Sequence, residues 1–164
     1  MEPTQHDEAS GTQILTEDEC WERLRRTSIG RIGVLHDEQP AVYPVNYLVD
    51  GSSVVFRTRP DSKISQAPLL ERVAFEIDGF EPADGDAWSV LIKGFGRFLD
   101  SVPEIAQVDR LLLFPWVDVD RSAWVRIIPV EVTGRSFHLV DGAVTDASIG
   151  WPEQVTRTGD DDLV

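Results

Sequence analysis

The chain has 164 residues, 41% of them apolar, which is enough for one hydrophobic core and makes a single domain the default. Its 29 acidic residues outnumber 15 Lys and Arg, for a formal net charge of −14, and this argues against the broad basic surface with which nucleic-acid binders neutralise phosphates. A single cysteine rules out an intramolecular disulfide, no run approaches the roughly 18 apolar residues of a membrane span, and no charged leader precedes an apolar stretch. The expectation is a soluble, cytoplasmic protein that binds neither nucleic acid nor membrane.

Residues 1–13 are polar and aperiodic and are expected to be a disordered leader. Thr16 followed by Glu19 is a capping box opening a helix over Glu17 to Arg26, with Arg23, Arg25 and Arg26 in its last turn, read as a solvated helix end. Ile29–Leu35, Ala41–Val49 and Ser53–Thr58 are strand-like, the last two joined at Asp50-Gly51, whose glycine accepts the positive φ of a tight hairpin turn. The third strand runs out into Arg57, Thr58, Arg59, Asp61, Ser62 and Lys63, a dense set of cations and hydroxyls in an acidic chain. Ser62–Leu70 reads as one or two helical turns, which would bring Lys63 near a helix N-terminus.

Arg72–Asp78 is a fourth strand and Trp88–Leu99 a longer fifth, with Gly94 and Gly96 relieving crowding at a bend. Ser101, Pro103 and Glu104 open a second helix over Glu104 to Phe114. Trp124–Thr133 is a sixth strand and Arg135–Val140 a short seventh. The short connections imply antiparallel pairing, so the fold class is mainly β, a six- to seven-stranded antiparallel barrel with two or three short helices. The domain spans 14–140, followed by a partly disordered C-terminal extension, 141–164, in which Trp151-Pro152 is the one apolar pair.

The collinear order PVNY, turn, FRT, a Ser-Xaa-Lys-like segment, VAFEID, WSVLIKGFG, PW and WVRIIPVEVTGR resembles the pyridoxamine 5′-phosphate oxidase-like flavoproteins, over about Leu15 to Phe137. That resemblance implies a split β-barrel homodimer holding flavin mononucleotide (FMN) in grooves at the subunit interface. It implies that Arg57, Thr58, Ser62 and Lys63 contact the ribityl phosphate, and that backbone at Pro44, Val45 and Asn46 lines the isoalloxazine edge. Trp88 and Ser89 would approach the cofactor from near or across the interface. Independently, a phosphomonoester is dianionic near neutral pH and suits Arg forks, a Lys point charge and hydroxyl donors.

No residue is marked as a catalytic acid or base, since a flavin carries the hydride or electron chemistry itself. His6, His36 and His138 lack paired ligand spacing, so no metal site is expected. Cys20 reads as a small core residue. The acidic C-terminal region, ending in Asp160, Asp161 and Asp162, would repel a dianionic substrate, which argues against pyridoxamine phosphate oxidation itself. The expected function is an FMN-dependent oxidoreductase of an unassigned small molecule. The alternatives are a reductase using the deazaflavin F420, with Lys93 or Arg97 helping to hold its longer anionic tail, and a non-enzymatic flavin carrier or sensor.

Overall fold

The computed structural model describes residues 6–7, 12–36, 39–59, 72–81, 86–111 and 123–138. In chain order the elements are β1 (His6–Asp7), β2 (Thr12–Leu15), α1 (Glu17–Arg26), β3 (Ile29–His36), β4 (Gln39–Asp50), β5 (Ser53–Thr58), β6 (Val73–Glu81), β7 (Asp86–Phe98), α2 (Val102–Asp109) and β8 (Ala123–His138). Every strand pairing is antiparallel. Strands β3, β4, β5, β8, β7 and β6 close into a ring, with β2 on the same edge of β8 as β5 and β1 beyond it. This is the expected mainly-β split barrel, with two helices among the described residues.

Three expectations are corrected. Order begins earlier than Ile14, because Thr12–Leu15 pairs with Phe137–Gly134 and His6–Asp7 pairs with Gln13 and Thr12. The sixth and seventh strands are one, since β8 runs unbroken through Gly134. The second helix starts at Val102, and no helix is described past Asp109. The proposed Ser62–Leu70 turns and the extension 141–164 lie outside the described residues. Among the described helices none is long and apolar enough to cross a membrane.

Alternation divides each strand between the barrel interior and its outside. Tyr47, Phe56, Phe75, Ile77, Ile92 and Ile127 fill the interior and are almost completely buried. Burying each of these side chains stabilises the fold by about 1.5–3 kcal/mol. Helix α1 closes one mouth, inserting Cys20, Trp21 and Leu24 into the same cluster. Its N-terminus has the anticipated reciprocal cap: Glu19 N donates to Thr16 Oγ1 at 3.3 Å and Thr16 N donates to Glu19 Oε2 at 2.7 Å. The cap holds the Glu19 carboxyl below its ordinary pKa, mainly through the hydrogen bond from the Thr16 backbone.

The last turn of α1 is tied to the barrel by Tyr47, whose hydroxyl donates to Leu24 O at 2.8 Å and lies 2.8 Å from Thr27 Oγ1. The first of these contacts uses a carbonyl group that a helix C-terminus leaves without an intrahelical partner. Helix α2 packs on the outside of the barrel, where Val55, Leu99, Val108 and Trp124 form a second buried cluster. Two-sided burial explains why β5 begins as the continuous apolar run Val54-Val55-Phe56 rather than alternating.

Candidate functional site

The β4–β5 hairpin sets the geometry. Asp50 pairs with Ser53 across a two-residue turn in which Gly51 has φ +61°, as the Asp-Gly signal demands. Tyr47 pairs with Phe56 and both point inward, so Asn46 and Arg57, one step further from the turn, emerge together on the outer face. Val45 and Thr58 take the inward parity and are buried, while Pro44 faces out opposite Arg31.

Arg57 is held on two sides. Its guanidinium carbon lies 4.5 Å from the Trp124 ring centroid, and its Nη2 donates to Asp109 Oδ1 at 2.5 Å. The same oxygen accepts from Trp124 Nε1 at 2.8 Å. The Arg57 side chain is only 15% exposed, so this cation is fixed rather than waving in solvent. Arg59 follows on the exposed side. An arginine fork at a strand end, beside a buried asparagine, is an arrangement that can receive a phosphate or carboxylate.

The end of α2 that carries Asp109 is anchored in turn. Gln107 Nε2 lies 3.0 Å from both Asp50 carboxylate oxygens, and Arg126 bonds Asp50 Oδ2 at 2.6 Å and Ser53 Oγ at 2.5 Å. Asp50 thus joins the hairpin turn, β8 and α2. Asp109 was invisible to sequence reasoning because it lies 52 positions from Arg57 and ends a short helix with nothing to mark it.

Of the residues expected to form the site, Pro44, Val45, Asn46, Arg57 and Thr58 lie on neighbouring strand positions, but only Pro44, Asn46 and Arg57 face outward, so the expected contact of the Thr58 hydroxyl with the phosphate held by Arg57 is corrected; Ser62 and Lys63 lie outside the described residues. Trp88 and Ser89 are elsewhere. Ser89 pairs with Arg135 and Arg57 pairs with Trp124, eleven positions apart on β8, roughly 35 Å along the strand. Trp88 and Ser89 also face opposite ways. Trp88 packs towards the mouth closed by α1, where Arg23 lies 5.5 Å from its ring centroid and Gly79 leaves room for the indole. The reading of the α1 arginines as a solvated end therefore fails for Arg23, which is half-buried on Trp88.

Lys93 and Arg97, on the outer face of β7, are both engaged: Lys93 Nζ is 2.8 Å from Glu131, and Arg97 forms an ion pair with Glu104. That bond holds the Glu104 carboxyl below its ordinary pKa and raises that of Arg97. Among the described residues no group of three His, Cys, Asp or Glu could hold a metal ion.

A family model described as pyridoxamine 5′-phosphate oxidase matches residues 16–136, most of the chain. The chain belongs to the pyridoxamine 5′-phosphate oxidase family. An uncharacterized protein of Mycobacterium tuberculosis is 34% identical over 125 residues, covering 73% of this chain and 82% of the relative. The solved structure of a Corynebacterium glutamicum protein, provisionally named a pyridoxamine 5′-phosphate oxidase, is 36% identical with a TM-score of 0.69, covering 80% of this chain and 98% of that one. A Mycobacterium smegmatis structure, named an FAD-binding protein, is 32% identical with a TM-score of 0.68, covering 77% and 98%. The oxidase-family match spans the hairpin, Arg57 and Asp109, so the arrangement around Arg57 lies inside the shared domain rather than in an appendage.

Proposed function

We propose that this protein binds FMN by its phosphate at the outer end of β4–β5, as a homodimer, and acts as a flavin-dependent oxidoreductase on a small molecule other than pyridoxamine phosphate. The observation that carries this reading is the fixed, largely buried Arg57 beside Asn46. A dianionic phosphate gains charge-assisted hydrogen bonds from such a fork, and a preset cation loses little freedom on binding. Family membership and the FAD-binding name of the M. smegmatis relative support a flavin as the ligand class.

If Ser89 reaches the flavin that Arg57 holds by its phosphate, as the resemblance implies, the roughly 35 Å of strand β8 between their register positions calls for a second copy to supply one of them. Backbone at Pro44, Val45 and Asn46 would then line the flavin edge, with Ser62 and Lys63 adding donors at the phosphate and Ser89 arriving from the partner; the Thr58 hydroxyl, turned inward and buried, faces away from the Arg57 side and is not part of this phosphate set. When bound, the flavin supplies the hydride or electron chemistry, and the chain's residues bind, orient and desolvate it. The choice of FMN over F420 rests on the family resemblance; Lys93 and Arg97, the cations considered for a longer anionic tail, face Glu131 and Glu104 in exposed ion pairs. A net charge of −14 and the acidic tail disfavour a dianionic substrate.

The test is a visible spectrum of the purified protein with added cofactor, followed by titration of Arg57→Ala. FMN should give flavin bands and bind wild type 10- to 100-fold more tightly than the variant, the worth of about 1.5–3 kcal/mol for a charge-assisted contact. Equal affinities would remove the phosphate assignment. Turnover of a nicotinamide donor with an electron acceptor separates the enzyme from a carrier.

A further inference from the structure

Resting on the flavin reading above, we propose that Asp109 is the positioning residue of the phosphate site: it sets Arg57 in place through a three-body clamp with Trp124 and thereby makes the protein selective for phosphorylated flavin. One carboxylate oxygen, Asp109 Oδ1, takes both the Arg57 Nη2 bond at 2.5 Å and the Trp124 Nε1 bond at 2.8 Å. The indole so oriented lies beneath the guanidinium, 4.5 Å from ring centroid to Cζ. Each of the three groups fixes the other two, which sets the clamp apart from an ordinary surface ion pair of little energetic consequence.

The helix end that presents Asp109 is itself immobilised. Val108 is fully buried in the outer cluster, and Gln107 is bonded to both oxygens of Asp50. A carboxylate beside an anion site would by charge alone repel the ligand. Its position at the end of an anchored helix, spanning two donors, suits a role in orientation. An arginine has several rotatable bonds and loses their freedom when it grips a phosphate; stacked and bonded beforehand, it has already lost it.

Because Asp109 acts through Arg57, its effect should appear only for ligands that carry the phosphate. The experiment titrates the full-length wild type, Arg57→Ala, Asp109→Asn and the double variant with FMN and with riboflavin, its dephosphorylated counterpart. The clamp predicts that Asp109→Asn loses FMN affinity about tenfold, keeps riboflavin affinity within twofold, and adds nothing further in the Arg57→Ala background. FMN binding at wild-type strength or tighter in Asp109→Asn would overturn it, and so would equal losses for both ligands, the mark of a merely structural residue. If Asp109→Asn folds poorly, Asp109→Glu keeps the charge but displaces it by one methylene; a selective FMN loss supports the clamp and an unchanged FMN affinity overturns it. If Arg57→Ala leaves FMN binding intact, the phosphate site falls and the clamp with it. A loss in Arg57→Ala without one in Asp109→Asn defeats the clamp alone.

Discussion

Tyr47 and Cys20 are weak acids kept protonated by burial, which pushes the phenol up to about 12 and the thiol up to about 11. In the unfolded chain they ionise near pH 10 and pH 9, so between those values and the folded ones the unfolded state binds fewer protons. Stability must therefore fall as pH rises from about 9 to about 12. Denaturant melts at pH 8 and pH 11 should show this loss, and Cys20→Ala should reduce it; pH-independent stability over that range would contradict the burial. At the same scale Arg57→Lys keeps the charge but not the fork, the stack on Trp124 or the geometry of the Asp109 bond. FMN affinity in that variant should stay at least fivefold below wild type.

The elements show which residues act as breakers and which only resemble them. The capping box located α1, and the apolar runs and turn residues located the ring strands, to within a few residues, because these elements carry their own caps or turns. Read from sequence, one strand ends at Thr133 and another begins at Arg135, on either side of Gly134. The structure gives the glycine its reason: a Cβ there would sit 2.6 Å from Cys20 Sγ and 2.9 Å from Leu15 Cδ1, so glycine is present to let α1 and β2 approach. Pro129, also inside β8, lies opposite Gly94 at the register shift between Lys93 and Gly94, where a missing N–H is tolerated. The four-residue β2 has no turn chemistry to announce it and depends wholly on its partner. Of the candidate site, the strand-borne part was legible and the helix-borne Asp109 was not, since local pattern cannot report a contact made across the barrel surface.

Two substitutions test this level. Thr16→Ala removes the capping box and should cost about 1 kcal/mol. Gly94→Ala drives a Cβ into the Ile128 carbonyl, backbone that cannot rotate away, and should cost about 1–3 kcal/mol. Thermal midpoints check both, and an unchanged midpoint for Gly94→Ala would mean that the β7–β8 bulge is not as close as described.

At the scale of the whole molecule, the barrel leaves Leu35, Val42 and Val130 more than 60% exposed, with Phe95 and Ile128 partly so. Exposed apolar surface of this kind favours association, and a proposed cofactor site whose parts lie at distant points of one protomer needs it. Sedimentation should find a dimer at micromolar concentration. The most direct test is subunit complementation: Arg57→Ala and Ser89→Trp, each defective in FMN binding alone, are mixed and allowed to exchange subunits. The shared-site account predicts that FMN binding returns, up to one site per heterodimer, because one of its two grooves then combines an intact Arg57 with an intact Ser89. A mixture that binds no more FMN than its two components separately would contradict it.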